Sequence, residues 1–186
     1  MPNYRRSSLG STYFFTVVTE SRAPILTSPL GIAALRTAFK ATRARFPFTL
    51  EAVVVLPDHL HCIWTLPDAD VDYSTRWAYL KKTFTHHFLA GGGTEVNPRA
   101  SKLRKRERGV WQRRFWEHTI TSDERYSRLM DYIHFNPVKH GHAVCPMDYE
   151  FSSFKRCVER GFYPADWGCV RGGPLEFDDL ADVAGE

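Results

Sequence analysis

Residues 53–67 read V-V-V-L-P-D-H-L-H-C-I-W-T-L-P, and no other stretch restricts the fold as strongly. From position 59 the residues split with period two. Leu60, Cys62, Trp64 and Leu66 share one face, and His59, His61, Ile63 and Thr65 the other. A tight Pro57-Asp58 connection after a β-branched run predicts an antiparallel hairpin of residues 49–56 with 59–66, one face in the core. Both imidazoles then leave the sheet on the same side, about 7 Å apart at Cα. Two such rings can converge on one divalent ion, or simply line a polar sheet face.

The rest of the chain supplies an α+β frame around that hairpin. Residues 13–19 (Y-F-F-T-V-V-T) predict a strand. Ser28 and Pro29 open a helix over 28–45 with Ile32, Leu35, Phe39 and Phe46 at helical spacing. After an acidic loop, Ser74 is expected to open a second helix on which Trp77, Leu80, Phe84 and Phe88 form the apolar stripe. Lys81, Lys82, His86 and His87 lie off it, facing solvent or a DNA groove. Gly91-Gly92-Gly93 ends that helix, and an irregular segment carries Lys102, Arg104, Lys105, Arg106 and Arg108. It feeds into W-Q-R-R-F-W-E-H (residues 111–118), within a predicted strand over 110–120. Here cations suited to phosphates interleave with rings suited to unpaired bases, Trp111 foremost, with Arg113 and Arg114. Thr121 and Glu124 make a capping box for a helix burying Tyr126, Leu129, Met130 and Ile133. Tyr132 and Asn136 fall one turn apart at the edge of that stripe, and Pro137 is expected to end the helix. A short helix is expected over 152–160.

Five acids and no base lie in residues 174–186, so the rest carries 25 Lys and Arg against 16 Asp and Glu, a net +9. That excess suits a polyanionic partner. Residues 1–168 are expected to form one domain, with 169–186 a flexible acidic tail. Tyr4, Arg5 and Arg6 form a basic N-terminal arm, either solvated or following nucleic acid through phosphates and base stacking. The four cysteines show no C-x-x-C pairing and no dense framework. Structural zinc and disulfides are therefore not expected, and a reducing cytoplasm is. No apolar run is long enough to span a bilayer, and no membrane partner is expected.

Two imidazoles on a sheet, an amide oxygen on a helix and a tyrosine one turn earlier are the parts of a phosphodiester-cleaving site. Mg²⁺ or Mn²⁺ held by His59, His61 and Asn136 would polarise the phosphate, and Tyr132 would attack it. The ordered set P-D-H-L-H (57–61), W-Q-R-R-F-W-E-H (111–118) and D-Y-I-H-F-N-P-V-K-H-G (131–141) closely resembles the bacterial REP-associated tyrosine transposases. These are single-tyrosine relatives of the HUH nucleases and of the transposases of the insertion-sequence 200/605 group, and the resemblance runs over residues 4–167. It implies an RRM-like (ferredoxin-like) antiparallel sheet flanked by helices. It also implies action on single-stranded DNA bearing palindromic hairpins beside a short tetranucleotide. His59 and His61 would be the HUH pair, Tyr132 the nucleophile and Asn136 the third metal ligand, where related enzymes commonly carry Gln. The DNA-contact candidates are Tyr4, Arg5, Arg6, Lys81, Trp111, Arg113, Arg114, Lys139 and His140, with His118 and His134 either structural or contacting DNA. The expected assembly is a monomer, with a dimer as the alternative. A hairpin-binding repressor with a vestigial site and a nuclease using water as nucleophile are the rival functions.

Overall fold

The computed structural model describes residues 11–96, 108–169 and 175–180. The aromatic run forms β1 (Thr12–Val18), and the predicted hairpin forms β2 (Thr49–Val55) and β3 (His59–Thr65). With a short β4 (Trp116–Thr119) they make an antiparallel sheet of order β2-β3-β1-β4. Helices α1 (Pro29–Arg45) and α2 (Tyr73–Ala90) connect β1 to β2 and β3 to β4. This β-α-β-β-α-β sheet is the expected RRM-like, ferredoxin-like α+β arrangement. Two further helices follow, α3 (Asp123–Lys139) and the short α4 (Phe154–Glu159).

Strand alternation divides the core into two layers. Tyr13, Phe15 and Val17 of β1, with Leu60, Cys62 and Trp64 of β3, face α1 and α2 and meet Leu35, Ala38, Trp77, Leu80 and Phe84. Phe14, Ala52, Val54 and Ile63 on the other face meet Leu129, Met130 and Ile133 of α3. The sequence predicts one buried face for β3; the structure buries both, because α3 lies over β2 and β3. In α1, Ser28 caps by accepting from the Gly31 amide at 3.0 Å. A Cβ at position 31 would stand 2.0 Å from the Ile25 carbonyl oxygen, so this close approach requires glycine.

Local chemistry misplaced several boundaries. Asp72 rather than Ser74 caps α2, accepting from Thr75 N at 2.9 Å, and Ser122 rather than Thr121 caps α3, accepting from Arg125 N at 3.1 Å. Adjacent residues of equal capping ability are separated only by backbone conformation. Pro137 does not end α3. It removes a single helical hydrogen bond in the last turn, while burial of Phe135, Asn136 and Pro137 itself holds the helix to Lys139. The strand predicted over 110–120 shrinks to four residues. Between the Thr16–Trp116 and Thr19–Trp111 pairs the partner chain has two residues more than β1, so it bows out of the ladder. Cys145 and Cys169 form a disulfide, against the sequence expectation, because the chain after α3 folds back on itself. The expected flexible tail is docked over 175–180: Leu180 is fully buried, and Asp179 pairs with Arg125 and Arg128 of α3. Tyr4, Arg5, Arg6 and the cluster from Lys102 to Arg106 lie outside the described residues. Arg108 is described, and its guanidinium is occupied by Glu95 at 2.7–3.0 Å. Among the described residues no helix is long and apolar enough to cross a membrane.

His134 is a core residue. Its Nε2 hydrogen-bonds Ser153 Oγ at 3.0 Å, and its ring meets Phe154 and Tyr163 edge-on. Burial, reinforced by the nearby Arg156 cation, pushes its pKa down to about 3. The unfolded chain takes up this proton near pH 6.5 and the folded chain only near 3. Stability present above pH 6.5 is therefore lost on acidification towards 3, by at most about 1.4 kcal/mol per pH unit. Urea melts across that window are expected to show a flatter pH dependence in His134→Gln than in the wild type.

Candidate active site

The site begins with the orientation of two rings. His59 and His61 leave the same face of β3 with ring centroids 5.0 Å apart. Each is held at Nδ1: Asp58 Oδ1 takes the His59 N–H at 2.6 Å, and Thr16 Oγ1 hydrogen-bonds His61 at 2.8 Å. Carboxylate and hydroxyl partners of this kind fix ring orientation and direct the Nε2 edges together. Burial raises the Asp58 pKa, but the hydrogen bonds and charges of His59 and Arg22 outweigh it and hold the carboxyl below its usual range. Asp58 thus stays an acceptor for His59.

The second half of the site comes from α3. Tyr132, Asn136 and His140 recur every four residues and so share one side of the helix. The Tyr132 ring stands 5.3 Å from His61, and the His140 ring 5.6 Å from His59. Asn136, midway between them in sequence, is fully buried. The Lys139 Nζ lies 5.0 Å above the Tyr132 ring. Two imidazole nitrogens with a neutral amide oxygen form a donor set that suits a divalent cation while leaving coordination positions for substrate. Among the described residues no three His, Cys, Asp or Glu side chains are arranged so as to hold a metal ion by themselves.

Tyr132 differs from the sequence picture of a side chain at the rim of a cleft. It is 2% exposed, because Phe177 of the docked acidic segment packs edge-on against it at 5.6 Å and Phe14 closes the other side at 6.2 Å. Arg128, held by Asp179, covers Phe177 from above.

The DNA-contact candidates separate into two groups. Lys139 and His140 are exposed at the end of α3, beside the histidines. Lys81, Trp111 and Arg113 line a cavity of about 330 Å³ with α2, on the far side of the sheet, and Arg114 is exposed next to it in sequence. Trp111 cannot serve as a stacking surface: it is 6% exposed and packs against Phe84 at 4.9 Å, since its bridge to Thr19 turns it into the α1–α2 layer. Lys81 spends its ammonium on the Gln112 carbonyl at 2.9 Å, bracing the bowed segment. Sequence reasoning missed Thr16 and Asp58 as ring-orienting partners and Trp116 as the exposed aromatic of the motif. Asp58 was detectable as the residue preceding His59; Thr16 required the β1–β3 register.

Comparison with known proteins assigns the chain to a family. The family described as Transposase IS200 like matches residues 7–136, which include the histidine pair, Tyr132 and Asn136. REP-associated tyrosine transposases of Haemophilus influenzae and Escherichia coli K12 are each 43% identical over 169 residues. They cover 90% of this chain, and the match covers 94% and 91% of theirs. A solved REP-associated tyrosine transposase bound to a REP hairpin superposes with a TM-score of 0.73, at 41% identity over 96% of both chains. Fold, motif order and near full-length identity together place this chain in the REP-associated tyrosine transposases, within the IS200-like transposase family.

Proposed function

We propose that the chain is a metal-dependent single-stranded DNA endonuclease and strand transferase, acting at REP-type palindromic hairpins through a 5′-phosphotyrosine intermediate. The observation that carries this reading is the approach of Tyr132 on α3 to His61, and of His140, just past the end of α3, to His59 on β3. His59, His61 and Asn136 would hold the ion, Mg²⁺ or Mn²⁺, which when bound polarises a phosphate oxygen and lowers the cost of charge on the departing oxygen. The Tyr132 oxygen bonds to phosphorus and gives up its proton. The bond from phosphorus to the 3′ oxygen breaks, and that oxygen leaves as a 3′-hydroxyl after taking up a proton. A free phenol with a pKa of about 10 needs help to attack, and the Lys139 ammonium, 5.0 Å from its ring, is the cation nearest the attacking group named here. The phosphotyrosine conserves the bond for later rejoining by reversal.

Hairpin binding without catalysis is the second reading, and the closure of Tyr132 beneath Phe177 is what favours it. The two separate in one experiment. End-labelled hairpin DNA with an unpaired flank is incubated with the protein and Mn²⁺, then run under denaturing conditions. A protein–DNA adduct supports strand transfer; cleavage without adduct means that water attacks; binding without either supports the second reading.

The hydrogen bonds at the two Nδ1 atoms give a further expectation. Asp58→Asn and Thr16→Val should each weaken Mn²⁺ binding by about 10- to 100-fold, measured calorimetrically on the protein without DNA. Unchanged affinity would mean that these partners do not set the rings.

A further inference from the structure

The motif W-Q-R-R-F-W-E-H holds two tryptophans, and tertiary structure gives them opposite fates. Trp111 is buried, whereas Trp116 is 51% exposed, the one aromatic among the large exposed hydrophobic side chains of the described residues. Side chains of β4 alternate in direction. Glu117 pairs with Phe15, whose side chain lies on the α1–α2 side of the sheet. Trp116 and His118 therefore project from the opposite face, where α3 and the histidine pair lie. His118 agrees with this, since it pairs with Phe14, which faces the α3 layer.

Register then fixes where Trp116 stands. It pairs with Thr16 on β1, and Thr16 pairs with His61 on β3. The three residues form one row across the sheet, with Thr16 hydrogen-bonded to His61 at 2.8 Å. Two inter-strand steps put the Trp116 backbone about 10 Å from that of His61. α3 lies over β2 and β3, so it does not roof the Trp116 end of the row. Glu117, the acid next to Trp116, pairs with Phe15 of the α1–α2 layer and is turned to the other face.

We propose that Trp116 is a stacking platform for an unpaired base next to the phosphodiester attacked by Tyr132. It would position the single strand across the sheet in the way exposed aromatics on RRM-like sheets take bases. This rests on reading the site as one that cleaves single-stranded DNA. A bare aromatic face accepts any base, so Trp116 sets where the strand lies rather than which sequence is chosen.

A double-substitution cycle tests the proposal with the full-length protein. Binding is measured for hairpins carrying an intact unpaired flank, or the same flank with one abasic position at a time, using wild type, Trp116→Ala and Trp116→Tyr. Trp116→Ala is expected to bind the intact flank roughly 5- to 100-fold more weakly than wild type. At one flank position, removing the base should weaken wild type by a similar factor and leave Trp116→Ala unaffected. Trp116→Tyr should bind nearly as wild type. Trp116 is exposed, so Trp116→Ala should keep the wild-type melting temperature. Intact-flank binding equal to wild type, or losses that simply multiply at every abasic position, would overturn the proposal. Adduct formation by wild type separates the two ideas: an adduct with no effect of Trp116→Ala sinks the stacking role alone, and no adduct and no hairpin binding by wild type sinks the site reading and this proposal with it.

Discussion

Replacing Tyr132 by phenylalanine is expected to abolish the covalent protein–DNA adduct, by at least about a thousand-fold, while hairpin affinity stays within about two-fold of wild type. Only the phenol oxygen is lost. The ring remains to fill its place between Phe14, His61 and Phe177, so no cavity opens and the fold should be preserved to within about 1 kcal/mol. Alanine at the same position would be a poorer test, because a buried aromatic removed to alanine costs about 3–5 kcal/mol and confounds chemistry with folding. The readout is adduct on a denaturing gel alongside hairpin binding in solution. Strand cleavage at the wild-type rate in Tyr132→Phe would assign the attack to water or another residue.

His61→Gln is expected to have an effect of comparable size on a different measurement. Mn²⁺ affinity should fall by more than about 100-fold, beyond what loss of an orienting partner produces, and adduct yield should fall with it. His61 is fully buried, stacked on Phe14 at 5.6 Å and bonded to Thr16 at 2.8 Å. Truncation to alanine would therefore open a cavity and strip Thr16 of this hydrogen bond, at a cost of about 2–4 kcal/mol. From the sequence alone the histidine face of β3 looks solvent-facing, and truncation there looks harmless to folding. Glutamine keeps bulk and a polar end, so calorimetry at a temperature where the variant is folded isolates the metal effect. Retention of wild-type Mn²⁺ binding and adduct yield would show that His61 is structural.

Much of the site was legible before the fold was known because its parts are local. Residues two apart on a strand must share a face, so P-D-H-L-H alone aims two imidazoles in one direction. Residues four apart on a helix do the same, which pairs Tyr132 with Asn136. The β-α-β-β-α-β order also follows from local alternation of the period-two and helical patterns. Boundaries were less legible. The α2 and α3 caps shifted because neighbouring side chains compete for the same role, and Pro137 was absorbed because packing around Phe135 and Asn136 outweighs one lost hydrogen bond.

The sequence by itself determined the two faces of β3, the chemistry of the residues on them, and the order of elements, since these depend on periodicities no longer than one helical turn. Tertiary structure alone decided which of those residues meet. It laid α3 across β3 so that Tyr132 reaches His61 and His140 reaches His59, and it joined Cys145 to Cys169. It also brought Phe177 down on Tyr132, and it buried Trp111 while leaving Trp116 open. Apart from the covalent Cys145–Cys169 bond and the exposure of Trp116, these are long-range contacts whose energy comes from apolar burial and charge pairing between segments distant in the chain. Such energies depend on register and packing angle rather than on the composition of either segment.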